Sequence, residues 1–330
     1  MTPSSPRRAL LATAAVLALG TRHAHAAMAQ EAGASPAKAI TVRVPFAAGS
    51  ATDQLARALG QSITNDTKQP VVIDNKAGAS GMIAASAVAK SAADGYSVLI
   101  TTNTTHAANE HLYKKLSYDP VKDFAPVTGL GKGGQVLVVN ASAPYKNVGE
   151  LLAFAKKNPG KLSFGSGSSS SRMAGEMLKQ LAAVDILHGP YMSIPLAITD
   201  LLGCLIDLLI TDTSTGVPQV KAGKLRALGY STQKRSTQLP DVPTIDEAGV
   251  KGYDMGYWFA AYVPAGTPAP VVARLNELLT AATKSAAAKS FYDNAGSEAW
   301  TTTPDELAKF QAAETQKWGK VIKAAGIEAE

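Results

Sequence analysis

Short apolar runs and amphipathic stretches alternate along the chain from residue 40 onward. The run at residues 40–44 predicts a strand, and leucine and isoleucine at four-residue spacing in residues 55–63 predict the helix after it. Further strands are predicted at residues 71–73, 96–101, 135–139, 162–164, 186–188, 206–210 and 225–230. Further helices are predicted up to residue 89 and at residues 148–155, 172–183, 270–289 and 304–325. This alternation predicts an α/β fold with parallel sheets covered on both faces by helices.

The connection between the first strand and the first helix has the composition of an anion site. Pro45 ends the strand, and Ser50 with Asp53 matches an S-x-x-D capping box, so the helix is predicted to begin after Gly49. The N–H groups at a helix N-terminus are unpaired, and the helix dipole adds roughly half a positive charge there. Such a terminus can bind a carboxylate or a phosphate without a lysine. The same residues are also typical of an ordinary strand-to-helix loop that binds nothing.

Five loops that leave predicted strands share one polar character. They carry short hydroxyl or amide side chains, bare backbone and very few charges. These loops are residues 46–52, 76–81, 101–106, 165–171 and 211–215. Because ligands of open α/β sheets bind beyond the carboxyl ends of the strands, these loops are the predicted binding region.

The N-terminal segment has the pattern of an export signal. Arg7 and Arg8 precede an apolar run at residues 9–20, and Ala24-His25-Ala26 offers a small-x-small cleavage site. A second such site would end the segment at residue 29. The apolar run is shorter than the ~20 residues needed to span a bilayer. Residues 1–26 are therefore predicted to be a cleaved signal peptide that directs the protein to the periplasm, by the general secretory route rather than the twin-arginine route.

Charge and cysteine content exclude several classes of protein. Cleavage after Ala26 removes three arginines and no acid from a net charge of +6, which leaves +3. The remaining basic residues are scattered among acids without a dense basic run, which argues against a nucleic-acid partner. Cys204 is the single cysteine, so no internal disulfide can form, and a small buried apolar role is predicted for it.

Candidate catalytic and cofactor motifs do not hold in their context. Residues 129–134 match G-x-G-x-x-G, but a predicted strand follows them where a dinucleotide site requires a helix. The serine-rich run at residues 165–171 lacks the G-x-S-x-G pattern of a hydrolase. His106 and His111 are five residues apart and have no accompanying metal-ligand motif. No cofactor and no metal ion are predicted.

Several motifs in order give the chain a family resemblance. The pattern PF-x-x-G-x-x-T-D-x-x-A-R occupies residues 45–57, and QPVVIDNKAGASG occupies residues 69–81. Later pieces include YDPVKDFAPVT from Tyr118, KAGKLRAL from Lys221 and DVPTIDEAG from Asp241. With these motifs the chain resembles the substrate-binding proteins of tripartite tricarboxylate transporters, the Bug receptors. The resemblance covers nearly all of the chain that follows the export signal.

The resemblance implies a type II periplasmic-binding-protein fold, in which two α/β domains enclose a ligand cleft. Domain 1 is expected to be discontinuous, with residues 38–139 and 259–330, and domain 2 to be inserted as residues 140–258. Members of the family hold a ligand carboxylate mainly through backbone N–H groups and waters in the loop that matches residues 46–52. The opposite domain contributes the loop that matches residues 166–171.

The resemblance and the polar loops together give an expected set of ligand-binding residues. This set is Phe46, Ala48, Gly49, Ser50, Thr52, Ala79, Ser80, Thr102, Thr104, His106, Ser168, Ser169, Ser170, Arg172, Tyr191 and Asp212. The chain departs from the family at Ser50, where glycine is usual, and at Arg172, where histidine is common. An acid common after the strand at residues 206–210 is replaced by Thr211, with Asp212 next to it. These departures leave the identity of the ligand open.

The function implied is that of a monomeric, non-enzymatic periplasmic receptor for a small organic acid. Its expected partners are the membrane permease subunits of a tripartite tricarboxylate transporter. A sensor that presents the liganded state to a membrane histidine kinase is an alternative that the sequence does not separate from transport. An enzyme built on the same fold is a third possibility, against which stands the lack of an ordered nucleophile, base and orienting group.

Overall fold

A computed structural model describes residues 36–324 and 326–329, so the predicted signal peptide lies outside the described residues. The strands are β1 (Ile40–Val44), β2 (Val71–Asn75), β3 (Ser97–Thr102), β4 (Phe124–Asn140), β5 (Ser163–Ser166), β6 (Leu187–Pro190), β7 (Leu208–Asp212), β8 (Leu225–Tyr230) and β9 (Gly256–Pro264). The helices are α1 (Ala51–Thr67), α2 (Met82–Ala89), α3 (Asn109–Leu112), α4 (Val148–Lys157), α5 (Ser169–Ala182), α6 (Ile194–Leu202), α7 (Thr213–Lys221), α8 (Ala269–Ala282), α9 (Ala286–Ala295) and α10 (Pro304–Ala324). A 3₁₀ turn at Ala79–Gly81 and a π-helical turn at Thr104–Ala108 complete the elements.

Strand β4 is 17 residues long and joins two sheets. The first sheet has the strand order β2-β1-β3-β9-β4, and the second continues from β4 through β7, β5 and β6, with β8 also paired to β4. Residues 124–134 of β4 pair with β9, whereas residues 135–140 pair with β7 and β8. The chain thus leaves the first sheet between Gly134 and Gln135 and returns to it at Gly256.

The expectation of purely parallel sheets is wrong. Strands β1, β2 and β3 are parallel, as are β5, β6 and β7, but β9 is antiparallel to both β3 and β4. Strand β4 is also antiparallel to β7 and β8. The physical reason is that β4 carries the chain out of the first sheet and β9 carries it back beside β4, so these two strands must run in opposite directions.

Helix α1 shows how the apolar pattern builds the core. Leu55, Leu59 and Ile63 lie on one face of the helix, which packs against β1, β2 and β3, and all three side chains are buried. Each fully buried leucine contributes about 1.5–3 kcal/mol relative to an exposed one. The four-residue spacing in the sequence therefore predicted both the helix and its buried face.

Three other features differ from what the sequence predicts. The helix predicted at residues 270–289 is two helices, because Ser285 caps α9 by accepting a hydrogen bond from the Ala288 N–H at 3.2 Å. Cys204 is exposed rather than buried, since it lies at φ +56° in the turn after α6. Strand β9 was not predicted at all. Of the helices in the described part of the chain, none has the length and apolar character needed to cross a membrane.

Candidate ligand-binding site

The loop before α1 is fixed by the polar side chains of the first helical turn. Ser50 is the N-cap residue, and its Oγ accepts a hydrogen bond from the Asp53 N–H at 3.3 Å. The Asp53 carboxylate reaches back one residue further than a capping box requires and accepts from the Gly49 N–H at 2.9 Å. Gly49 has φ +81°, a conformation that favours glycine. The loop therefore turns sharply at Gly49 and enters the helix in one defined geometry.

Asp53 is the centre of the network that holds this loop. Asn75 donates its Nδ2 to Asp53 Oδ1 and to the Phe46 carbonyl, both at 3.0 Å, and Arg57 Nε donates to Asp53 Oδ2 at 3.0 Å. Burial would raise the pKa of Asp53, but the hydrogen bonds from Arg57, Gly49 and Asn75 outweigh it and lower the pKa. The carboxylate therefore stays ionised and keeps the loop rigid.

Two backbone donors of α1 are left for a ligand. Within residues 36–324 the N–H groups of Ala51 and Thr52 make no hydrogen bond, because the Ser50 side chain caps only the Asp53 N–H. With the positive end of the helix dipole beside them, these donors suit an anion. This is the chemistry that the sequence predicted for the loop.

The second wall is the serine loop, residues 166–171, at the start of α5. Ser168 is the N-cap residue, and its side chain forms a reciprocal capping box with Ser171. The next two serines face the first sheet, since Ser169 Oγ donates to Asn109 Oδ1 at 2.9 Å and Ser170 Oγ donates to Asn103 Oδ1 at 3.1 Å. These hydrogen bonds join the serine loop directly to the segment that follows β3.

A small cavity of about 20 Å³ lies between the two walls. It is lined by Phe46, Ser50, Thr52, Thr102, Gly167, Ser168, Ser170, Ile194, Asp212, Tyr257 and Phe259. Both N-cap serines belong to this lining, and it contains no basic side chain. The volume suffices for about one water molecule, so a whole organic acid can enter only when the walls move apart.

A second cavity of about 150 Å³ adjoins the first and shares Gly167 and Ser168 with it. It is lined by Ser80, Leu112, Tyr113, Ser166, Gly167, Ser168, Ser169, Arg172, His188, Pro190, Tyr191 and Met192. Its polar walls are ordered by short hydrogen bonds. Ser80 Oγ lies 2.7 Å from Tyr113 Oη, and Tyr191 Oη donates to Asp200 Oδ2 at 2.7 Å.

Several buried polar atoms around the first cavity have no hydrogen-bond partner among the described residues. They are Asn103 Nδ2, Ser214 Oγ and both polar atoms of the Gln135 amide. Buried polar groups of native proteins are nearly always paired, so such a group near a cavity indicates a place for a ligand or a bound water. The concentration of these atoms at the junction of the two sheets makes the junction the candidate binding region.

The structure brings together most, but not all, of the residues expected at the site. Phe46, Ser50, Thr52, Thr102, Ser168, Ser170 and Asp212 line the first cavity, and Ser80, Ser168, Ser169, Arg172 and Tyr191 line the second. Thr104 lines neither, but its Oγ1 lies 3.5 Å from Ser170 Oγ. Ala48, Gly49 and Ala79 are exposed beside the site and do not line either cavity, and the Gly49 N–H is already paired with Asp53.

His106 belongs to the core rather than to a cavity wall. Its ring is fully buried and stacks on Tyr262 with 3.9 Å between ring centroids, and its Nδ1 lies 2.9 Å from Thr105 Oγ1. Burial lowers the pKa of His106 to about 3, so the ring is neutral at physiological pH. Its expected role as a ligand contact is replaced by packing beneath the polar loop.

Sequence reasoning missed the residues that strand β9 and its neighbours bring to the site. Tyr257 and Phe259 on β9 line the first cavity, together with Ile194 at the start of α6. A signal for the strand was present, since residues 257–264 read YWFAAYVP, a run of aromatic and aliphatic residues typical of a buried strand. Asn103 lies in the predicted polar loop 101–106, but its hydrogen bond with Ser170 had no sequence signal, because that contact depends on how the two halves of the chain pack.

Comparison with known proteins identifies the family. The model of the family described as "Tripartite tricarboxylate transporter family receptor" matches residues 55–327. The chain belongs to this family. Protein BugT of Bordetella pertussis is 33% identical over 294 residues, which cover 88% of this chain and 90% of BugT.

Solved structures of family members share the fold. An R. palustris protein with adipate is 35% identical, with a TM-score of 0.86, and the match covers 89% of this chain and 99% of that chain. MatC from Rhodopseudomonas palustris, with bound malate, is 30% identical, with a TM-score of 0.82 and coverage of 87% and 99%. The predicted α/β periplasmic-binding-protein fold is thereby confirmed.

Proposed function

We propose that this family member is a periplasmic receptor that captures a small organic dicarboxylate in the cleft between its two sheets. The observation that carries the proposal is that two capped helix N-termini, at Ser50 and Ser168, line one cavity that holds no basic side chain. Two such termini can hold a carboxylate through backbone donors alone. The adipate and malate found in related structures are dicarboxylates and support this class of ligand.

Capture couples ligand binding to closure of the cleft. The Ser169–Asn109 and Ser170–Asn103 hydrogen bonds close the walls onto a cavity too small for an acid, so the ligand must enter an open form. An acid that contacts both walls stabilises a closed form and shifts the population toward it. A ligand-bound closed form is the state that a membrane partner would recognise.

The second cavity is the proposed place for the second carboxylate. It adjoins the first, and Arg172 on α5 is among its lining residues. A guanidinium can hold a carboxylate bidentately, which gives the larger cavity a preference for a ligand with two acids. A monocarboxylate would use the backbone donors alone.

Arg172→Ala should weaken binding of a dicarboxylate such as adipate by about 1.5–3 kcal/mol, the range for charged hydrogen bonds, and spare its monocarboxylate analogue hexanoate. Isothermal titration calorimetry of both ligands on wild type and variant measures this. Lys179→Ala is the matched control, since Lys179 lies on the same helix, pairs with Glu176 at 2.9 Å and lines neither cavity. Equal losses for both ligands, or no loss for either, would reject the contact with Arg172.

We propose binding without turnover at the first cavity, where no serine of the described residues is paired with a histidine; the one serine–histidine contact of the site, Ser166 Oγ to His188 Nε2 at 2.7 Å, lies in the second cavity. The serines of the first cavity interact with backbone and amide groups: Ser50 Oγ with the Asp53 N–H, and Ser170 Oγ with Asn103 Oδ1. None of these partners is a general base.

We propose export to the periplasm after removal of residues 1–26, action as a monomer, and delivery of the ligand to permease subunits. Capture of a histidine kinase instead of a permease from solubilised membranes would assign the sensing role.

A further inference from the structure

Asp212 is the one carboxyl side chain among the described residues that line the first cavity. It ends β7 and approaches the cavity from the second sheet, opposite the loop that caps α1. The proposed ligand therefore brings a carboxylate into a space that already contains a carboxyl group. Two ionised carboxylates that share such a site repel each other, which raises the pKa of one of them.

The surroundings of Asp212 offer polar groups but no cation. Gln135 on β4 is its direct cross-strand partner, so the two side chains project from the same face of the sheet. The Gln135 amide is fully buried, and neither its oxygen nor its nitrogen has a hydrogen-bond partner within the described ranges. No ion pair of Asp212 is found among the same residues.

Within residues 36–324, the titratable groups that face Asp212 are two tyrosines. Tyr257 on β9 and Tyr230 on β8 have pKa values that burial raises, so both remain neutral phenols. Although part of the residue is accessible from the cleft, burial raises the pKa of Asp212 to about 7. The carboxyl is thus surrounded by neutral groups that do not stabilise its ionised form.

We infer that the cleft takes up its organic acid together with one proton, which Asp212 holds and donates in a hydrogen bond to a ligand carboxylate. The inference rests on the proposed function and adds its proton requirement. The proton comes from solvent and converts the ionised Asp212 side chain into a neutral carboxylic acid. This acid then donates a hydrogen bond to the ligand carboxylate, which stays ionised. Asp212 then selects for carboxylates as a donor, where an ionised aspartate would select for an ammonium group.

The test is calorimetry with malate and adipate between pH 6.5 and 8.5, where both acids of each ligand are ionised. The wild-type affinity should fall by up to about tenfold for each pH unit above 7, because each bound ligand requires one added proton. At pH 8.5, titrations in two buffers with different enthalpies of ionisation should show uptake of nearly one proton per ligand.

Asp212→Asn should remove both effects, since an amide donates at any pH. Its affinity should be independent of pH and exceed that of wild type at pH 8.5, with no proton uptake. Asp185→Asn, an exposed acid of the same half of the chain, should behave as wild type. The inference is overturned by pH-independent binding to wild type, by equal pH profiles for wild type and Asp212→Asn, or by binding of aspartate alone with an affinity that rises with pH. If neither malate nor adipate binds wild type at any pH, the proposed function itself fails.

Discussion

Gly167→Ala is expected to reduce the affinity for a dicarboxylate by about 100-fold or more. A Cβ atom at Gly167 would lie 2.2 Å from the backbone carbon of Ser193 and from the backbone nitrogen of Ile194. Backbone atoms at the start of α6 cannot rotate away, so the serine loop must move instead. The backbone donors of the loop then no longer meet the ligand, and since a hydrogen bond to a charged group is worth about 1.5–3 kcal/mol, the loss of two of them reduces the affinity by about 100-fold or more.

Calorimetric titration of Gly167→Ala with adipate measures the loss, and circular dichroism shows whether the variant is folded. Gly189→Ala is the matched control, since a Cβ atom there would have its nearest neighbours at 3.7 Å and at an ordinary backbone conformation. The control should bind as wild type does. Wild-type affinity in folded Gly167→Ala would show that the position of the serine loop does not determine binding.

Asp53→Asn is expected to lower the free energy of unfolding by about 1.5–3 kcal/mol, the range for hydrogen bonds to a charged group, and to weaken ligand binding. The carboxylate accepts from Gly49, Arg57 and Asn75 with both of its oxygens. An amide has one acceptor oxygen, so in either orientation its NH₂ group meets at least one of these donors. The loop before α1 would lose its fixed geometry.

Urea unfolding at several pH values tests the predicted destabilisation by Asp53→Asn together with its electrostatic cause. Because the pKa of Asp53 is lowered in the folded state, its contribution is present above the unfolded value of about 3.9 and is lost as the pH falls through the folded value. The difference in free energy of unfolding between wild type and Asp53→Asn should thus be constant above about pH 5 and shrink below about pH 4. Asp66→Asn, an exposed acid on the same helix, should show no difference, and equal stability of all three proteins would contradict the role of Asp53.

Local features of the site could be predicted from the sequence because short-range chemistry determines them. The cap at Ser50, the return of Asp53 to the loop and the buried stripe of α1 depend on residues within one or two helical turns. The carboxyl ends of neighbouring strands also bring polar loops together by topology alone. This is why the sequence alone predicts that Ser50, Thr102 and Ser168 belong to one site.

Features that depend on distant packing could not be predicted in the same way. His106 follows a polar strand end, yet its ring turns into the core because Tyr262 on β9 offers a stacking surface. The prediction of parallel sheets was wrong for a related reason, since strand β4 passes from one sheet to the other and β9 returns antiparallel beside it. The local sequence determines neither the position of β9 in the sheet nor the contact of Asn103 with the serine loop.

The division into two domains remains a prediction. The sequence placed the first boundary at residues 139–140, inside the stretch of β4 that pairs with β7 and β8. The change of sheet lies earlier, between Gly134 and Gln135, and the return lies at Gly256. We propose that these two crossings are the points at which the halves of the molecule move relative to each other.

The most direct test of the account is a calorimetric titration of the purified wild-type protein with malate and adipate at pH 6.5, followed by the same titration of Gly167→Ala. The wild type should bind one dicarboxylate per chain, and the variant should lose that binding. Absence of binding heat and of thermal stabilisation with either dicarboxylate would contradict the claim that the cleft between the two capped helices is a dicarboxylate site.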